Sequence, residues 1–230
     1  IECEYHFNEM SPDEHRLAKA AYWSMIDLVD VQVGRMMEAL ERTGQLDNTI
    51  IIFMSDHGEM LGDHGIYLKG PYFYEPAVRV PLLISMPGTI RANSRSNALV
   101  ELMDLAQTLL DAVGLENEPG MQGKSLWPLL TGEVALDHHK TDVYSEYYKA
   151  LKCHENPAAY GTMIRTEEYK LVRIHGLDQG ELYDLKEDPG EYNNLWNEAS
   201  YKDVKVEMLN RLCDRMAWTI DPLPVREAWW

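Results

Sequence analysis

Two apolar textures divide this chain. From residue 17 to residue 40, Leu17, Ala20, Ala21, Ser24, Met25, Leu28, Val31, Met36 and Leu40 recur at roughly three- to four-residue intervals, the spacing that lines one face of an α-helix. Ser11-Pro12-Asp13-Glu14 precedes the run. Ser11 is placed as N-cap, Pro12 at the first helical position, and Glu14 to close a capping box; Gly44 supplies the stop. A helix of about thirty residues is roughly 45 Å long and is predicted to lie across one face of a sheet, with Tyr22, Trp23 and the methionines as core. Next come two nearly continuous apolar runs, Thr49-Ile50-Ile51-Ile52-Phe53-Met54 and Val78-Arg79-Val80-Pro81-Leu82-Leu83-Ile84-Ser85. Such runs predict buried strands of a sheet covered on both faces. A helix over about residues 100–113 follows, with Leu102, Leu105, Ala106, Leu109 and Leu110 inward and Gly114 at its end. This alternation is the rhythm of a doubly wound α/β layer.

Beyond Glu116 the second texture begins. A glycine-bearing loop at 120–125 leads to a helical turn at 126–130, and then short alternating segments at 143–148, 161–165, 170–174 and 181–185 predict a small antiparallel sheet. Ser200 is placed to cap a last helix through about Ala217, with Val204, Met208, Leu209 and Leu212 on one face. The tail at 221–230 is expected to lie on the surface of this or a neighbouring chain. The fold class expected is α/β, with residues 1–135 forming part of a doubly wound sheet and residues 136–230 a small α+β subdomain of antiparallel sheet, helix and tail.

Composition narrows function by exclusion. Twenty-one Lys and Arg against 38 Asp and Glu give a net charge of −17, which argues against non-specific binding to nucleic acid or to an anionic membrane. No apolar run approaches the length of a membrane span, and no signal peptide is visible. Cys3, Cys153 and Cys213 are widely separated and odd in number, so they form neither a disulfide framework nor a C-x-x-C metal site. The chain begins at Ile1, which suggests a piece of a longer chain or a processed product. A homo-oligomer remains open.

The candidate chemistry follows the first apolar run. Ser55-Asp56-His57-Gly58-Glu59-Met60-Leu61-Gly62-Asp63-His64-Gly65 and then Lys69 stand beyond the carboxyl end of a strand, the edge where open α/β sheets bind ligands. Asp56 and His57 offer an oxygen and an imidazole nitrogen. Both reach one ion only if the backbone turns, which Gly58 would permit. That pair suits Mn²⁺ or Zn²⁺ well and Ca²⁺ less obviously, and two ligands leave the site incomplete. Lys69 alone reads as a surface lysine. Beside a metal it is the cation that a sulfuryl or phosphoryl group needs as charge builds on its oxygens. His64 is placed either to contact substrate or to orient a ligand, or it is simply satisfied within the loop.

The block 48–59 together with Gly62-Asp63-His64-Gly65, Lys69-Gly70 and Val80-Pro81-Leu82-Leu83-Ile84 resembles the sulfatase family of the alkaline phosphatase superfamily. Further likeness runs through Leu102-Met103-Asp104-Leu105, Gly123-Lys124-Ser125-Leu126 and Glu181-Leu182-Tyr183-Asp184-Leu185, and so spans most of the chain. The resemblance implies Asp56 and His57 as metal ligands, Lys69 as a catalytic contact to the sulfate or the bridging oxygen, and His64 as a substrate-binding candidate. It also implies a divalent ion, Ca²⁺ foremost with Mn²⁺ as the other choice, a sulfated small molecule or carbohydrate as substrate, and a periplasmic or secreted setting. His at the second ligand position resembles the branch with iduronate sulfatases, many bacterial sulfatases and phosphonate monoester hydrolases.

One departure is plain. Sulfatases carry a C/S-x-P-x-R motif whose Cys or Ser becomes formylglycine, yet Cys3 leads into Glu4-Tyr5-His6, Cys153 into His154-Glu155-Asn156-Pro157 and Cys213 into Asp214-Arg215-Met216, and no serine fits. The expectation is therefore the C-terminal portion of a metal-dependent sulfuric ester hydrolase, inactive alone, whose missing N-terminal half brings formylglycine and the remaining metal ligands. The alternatives are a phosphonate monoester or phosphodiester hydrolase of the same superfamily, and a non-catalytic module that binds a sulfated ligand or supports assembly.

Overall fold

The computed structural model describes residues 9–148 and 160–219. Cys3, Cys153 and the tail at 221–230 lie outside the described residues. What is described falls into two compact units, residues 9–94 with Tyr148, and residues 95–147 with 160–219.

In the first unit, α1 (Pro12–Arg42) starts where the local chemistry places it. Ser11 Oγ accepts from the Glu14 amide and the Glu14 carboxylate accepts from the Ser11 amide at 2.7 Å, so both halves of the capping box are present. Thr43 caps the other end and Gly44 leaves in the left-handed region at φ 66°. A single 3-10 turn, Leu46–Asn48, delivers the chain to β1 (Ile51–Met54). This strand pairs antiparallel with β2 (Leu82–Ser85), Ile51 opposite Ser85 and Met54 opposite Leu82. A short helix, α2 (Glu75–Val78), lies in the connection between them.

The expected burial of α1 is not made within the described residues. None of its residues is buried, and Leu17, Trp23, Leu28, Val31 and Met36 are each more than half exposed. Phe53, Met54 and Leu83 of the strand pair are also open. The buried apolar side chains of this unit are instead Met60, Phe73 and Ala77, all in the β1–β2 connection. Its core therefore sits under the candidate site and not under the helix.

The second unit contains α3 (Asp104–Ala112), α4 (Trp127–Thr131), the strands β3 (Val143–Tyr148), β4 (Tyr160–Arg165), β5 (Tyr169–Ile174) and β6 (Gln179–Asp184), and α5 (Lys202–Trp218). The strands form one sheet in the order β3-β4-β5-β6, with β4, β5 and β6 successively antiparallel. Ile164, Leu171 and Leu182 are cross-strand partners in one row. They pack with Leu195, Trp196, and Met208 and Leu212 of α5. Period-two alternation turns Lys170 away from that row; it is fully buried and pairs with Glu191 at 2.6 Å.

Two details of this unit differ from the pattern reading. In α3, Leu109 and Ala106 face outward while Gln107 and Thr108 are buried. Polar partners drive that rotation: Thr108 Oγ1 donates to Asp104 O at 2.7 Å and accepts from the Leu126 amide at 2.8 Å. The second is a buried charge network. Asp104 Oδ1 accepts from the Lys124 amide (2.8 Å) and from Lys140 Nζ (2.5 Å), and Asp104 Oδ2 lies 3.3 Å from His139 Nε2. Glu101 takes Lys140 on one oxygen and Arg215 of α5 on the other. Burial lowers the pKa of His139, with the Asp104 charge opposing and Lys124 and Lys140 reinforcing the shift.

Candidate active site

The loop that leaves β1 folds back on itself immediately. Ser55 Oγ donates to His57 O at 2.7 Å, and the His57 amide donates to Asp56 Oδ1 at 3.0 Å. Asp56 Oδ2 and His57 Nε2 then stand 3.8 Å apart, with the aspartate side chain 83% exposed and the histidine 45%. His57 Nδ1 lies 2.8 Å from Gly58 O. A carbonyl oxygen only accepts, so Nδ1 is the donor in this contact, and in the neutral ring that leaves the lone pair on Nε2. An orienting bond on the other ring nitrogen is what metal-ligating histidines use. The donor set therefore fits a divalent ion held by one carboxylate oxygen and one imidazole nitrogen. Among the described residues no group of three or more His, Cys, Asp and Glu is placed to hold a metal ion.

Gly58 has a different task from the expected one. Its φ is not in the left-handed region, but a Cβ there would lie 1.9 Å from Pro76 O. The requirement is close approach: the Gly58 amide donates to Ala77 O at 2.8 Å, laying the site loop against α2.

Beyond Gly58 the backbone winds through the left-handed region at Leu61 (φ 47°), Gly62 (94°), His64 (54°), Gly65 (72°) and Leu68 (65°). The Met60 amide donates to Leu68 O at 3.0 Å and the Gly62 amide to Ile66 O at 2.8 Å, so 60–68 is a closed loop. The His64 ring stacks on Tyr74, centroids 3.9 Å apart and planes 11° apart. Lys69 follows the loop immediately and is exposed. All four candidate residues thus lie within one connection, and Asp56 and His57 are paired through space.

Three participants escaped the pattern reading. Glu59 Oε1 accepts from the amides of Leu61 (3.1 Å) and Leu68 (2.5 Å). Tyr67 Oη lies 2.7 Å from His15 Nδ1 of α1, with the two rings stacked. Tyr74 supplies the platform for His64. A carboxylate between two ligand-type residues and a glycine loop was a usable signal for Glu59; the tyrosines had none.

Two family profiles match the chain, one described as N-sulphoglucosamine sulphohydrolase, C-terminal, over residues 62–217, and one described as Sulfatase, over residues 2–115. The chain belongs to the sulfatase family. This sulfatase chain is 39% identical over 194 residues to the N-acetylglucosamine-6-O-sulfatase of Bacteroides thetaiotaomicron, which covers 83% of the chain and 34% of that protein. Its fold matches a solved structure of a protein in complex with its substrate D-glucosamine-2-N,6-O-disulfate, with TM-score 0.76, 34% identity, and coverage of 84% of this chain and 39% of the other. It likewise matches phosphonate monoester hydrolase of Agrobacterium radiobacter, with TM-score 0.79, 33% identity, and coverage of 88% and 42%. The sulfatase chain has the α/β fold of the alkaline phosphatase superfamily, with the small α+β subdomain. It spans 34% to 39% of the length of the first curated relatives it matches.

Proposed function

We propose that this chain supplies one wall of a metal-dependent sulfuric ester hydrolase, with the nucleophile carried by polypeptide outside it. The observation that supports this most is the Asp56–His57 pair, in which Nδ1 is occupied by Gly58 O and Nε2 stands 3.8 Å from the Asp56 carboxylate. Sulfatases generally use a metal ion and a formylglycine. Asp56 and His57 are the two ligands this chain offers to a divalent ion, Ca²⁺ or Mn²⁺; such an ion lends positive charge to the sulfuryl oxygens. Lys69 adds a cation for charge on the sulfate or the leaving oxygen. His64, with its ring orientation set by Tyr74, is the candidate substrate contact.

The open apolar arc of α1 is assigned to the same assembly. A helix apolar over so wide an arc is built for burial, and the matched relatives are more than twice as long as this chain. The occupant is the nucleophile-bearing N-terminal portion, docked on α1 and the strand pair. The substrate class is a sulfated amino sugar, on the strength of the two similar proteins whose descriptions name glucosamine derivatives. A second reading, phosphonate monoester hydrolysis, is supported by the likeness to the Agrobacterium enzyme, and comparative turnover of aryl sulfate and aryl phosphonate by the assembled enzyme separates the two.

The test of the site is metal content and turnover in the assembled enzyme. Asp56→Ala and His57→Ala should lose tightly bound metal, measured by elemental analysis. Lys69→Ala should keep the metal and lower turnover roughly a hundredfold, as expected for one transition-state donor. Unchanged metal content in both ligand variants sinks the proposal. Aryl sulfate hydrolysis by the 230-residue chain alone would refute an external nucleophile.

A further inference from the structure

We infer that Glu59 is a positioning residue, which fixes Lys69 relative to Asp56 and His57 by clamping the neck of the loop between them. This rests on the reading of Lys69 given above. One carboxylate oxygen, Oε1, accepts both the Leu61 amide at 3.1 Å and the Leu68 amide at 2.5 Å. Those are the two leucines held in the left-handed region, at φ 47° and 65°, a conformation that a leucine keeps only when its surroundings impose it. The Met60 amide, bonded to Leu68 O at 3.0 Å, closes the same neck from the backbone side, and the Met60 side chain is buried beneath it. Lys69 is the next residue after the clamped Leu68 amide, and His57 lies two residues before the clamp itself. Glu59 therefore ties the two ends of the site together without needing to touch substrate.

Because both bonds fall on one oxygen, the clamp needs an acceptor of this length and does not need its charge. Glu59→Gln keeps the acceptor, whereas Glu59→Ala removes it. Two measurements follow. In the 230-residue chain, amide hydrogen exchange by NMR reads the clamp directly: Glu59→Ala should lose protection at Leu61 and Leu68 by at least about tenfold, and Glu59→Gln should retain it. In the assembled enzyme, Glu59→Ala should lower kcat roughly a hundredfold, the cost of ångström-scale misplacement, with KM and metal content little changed. Glu59→Gln should restore kcat to within about threefold of the native value if the clamp survives.

Unchanged exchange in Glu59→Ala overturns the clamp. Equal loss of kcat in both variants with the amides still protected overturns the positioning role and makes the charge of Glu59 the active property. Exchange lost in Ala and kept in Gln, with turnover unchanged in both, leaves the clamp standing but overturns its positioning role; if Lys69→Ala likewise leaves turnover unchanged, it is the reading of Lys69 that fails. Should Glu59→Ala fail to fold, Glu59→Asp, one methylene too short to reach both amides, replaces it with the same expected outcomes.

Discussion

Gly58→Ala would place a Cβ 1.9 Å from Pro76 O, 2.9 Å from Pro76 C and 3.3 Å from Ala77 Cα. All three are backbone atoms of α2, so no change of rotamer relieves the overlap. Restoring ordinary contact means parting the two segments by about 1.5 Å, which also breaks the 2.8 Å bond from the Gly58 amide to Ala77 O. Overpacking costs about 1–3 kcal/mol and a lost backbone hydrogen bond about 1 more, giving a destabilisation of about 2–4 kcal/mol. For a chain of this size that corresponds to a Tm lower by roughly 4–8 °C. Gly34→Ala is the control. It sits inside α1, where an added Cβ meets nothing within 4 Å, so it should gain up to about 1 kcal/mol of helix propensity. One chemical change is thus expected to act with opposite signs at two positions. Scanning calorimetry of both variants and the native chain checks this, and Gly58→Ala melting within a degree or so of native would refute the close approach of the site loop to α2.

Stability should also depend on pH through His139. Its pKa in the fold is lowered by burial, so below the ordinary histidine value of about 6.5 the unfolded chain takes up a proton that the native chain refuses. Stability should fall as pH drops from about 7 toward 5.5, by at most about 1.4 kcal/mol per pH unit for this one group. Urea unfolding across that range, with His139→Gln showing a flatter slope, is the check; an identical slope in both would remove His139 as the cause. Glu191→Ala should destabilise by about 3–5 kcal/mol, because it removes the carboxylate paired at 2.6 Å with the fully buried Lys170. The double variant Lys170→Met/Glu191→Met should recover most of that loss; urea midpoints of both variants measure it, and a double variant no better than the single would show that the cost lies elsewhere.

What the sequence made legible was local. The capping box at Ser11 and Glu14 uses neighbours three residues apart, and the strands of the small sheet repeat every second residue, so both the start of α1 and the register-bearing rows around Leu171 could be read by eye. The Asp56–His57 pair could be found for the same reason, since its partners are adjacent. What escaped depends on contacts between distant segments. Gly58 looks like a turn residue until Pro76 is seen against it; Gln107 and Thr108 look like an outer face until Leu126 arrives; Asp104 precedes the neighbours His139 and Lys140 by 35 and 36 residues and meets them only in the fold. The wide apolar arc of α1 predicts a buried face, yet none of its residues is buried in the described structure, because a periodic pattern carries no information about a covering partner.

The β1–β2 pairing has a consequence for how such a protein can vary. Four paired residues close a connection that runs from residue 55 to residue 81, and every candidate site residue lies inside it. Lengthening a closed loop is inexpensive, about 0.6 kcal/mol for each doubling, whereas shifting the strands by one residue would turn every side chain to the opposite face. The bonds from Gly58 to Ala77 and across the neck at Met60 and Leu68 hold the backbone on either side of the loop between His57 and Lys69. Changes of length in this connection therefore cost least where they leave these bonds and the strand register in place.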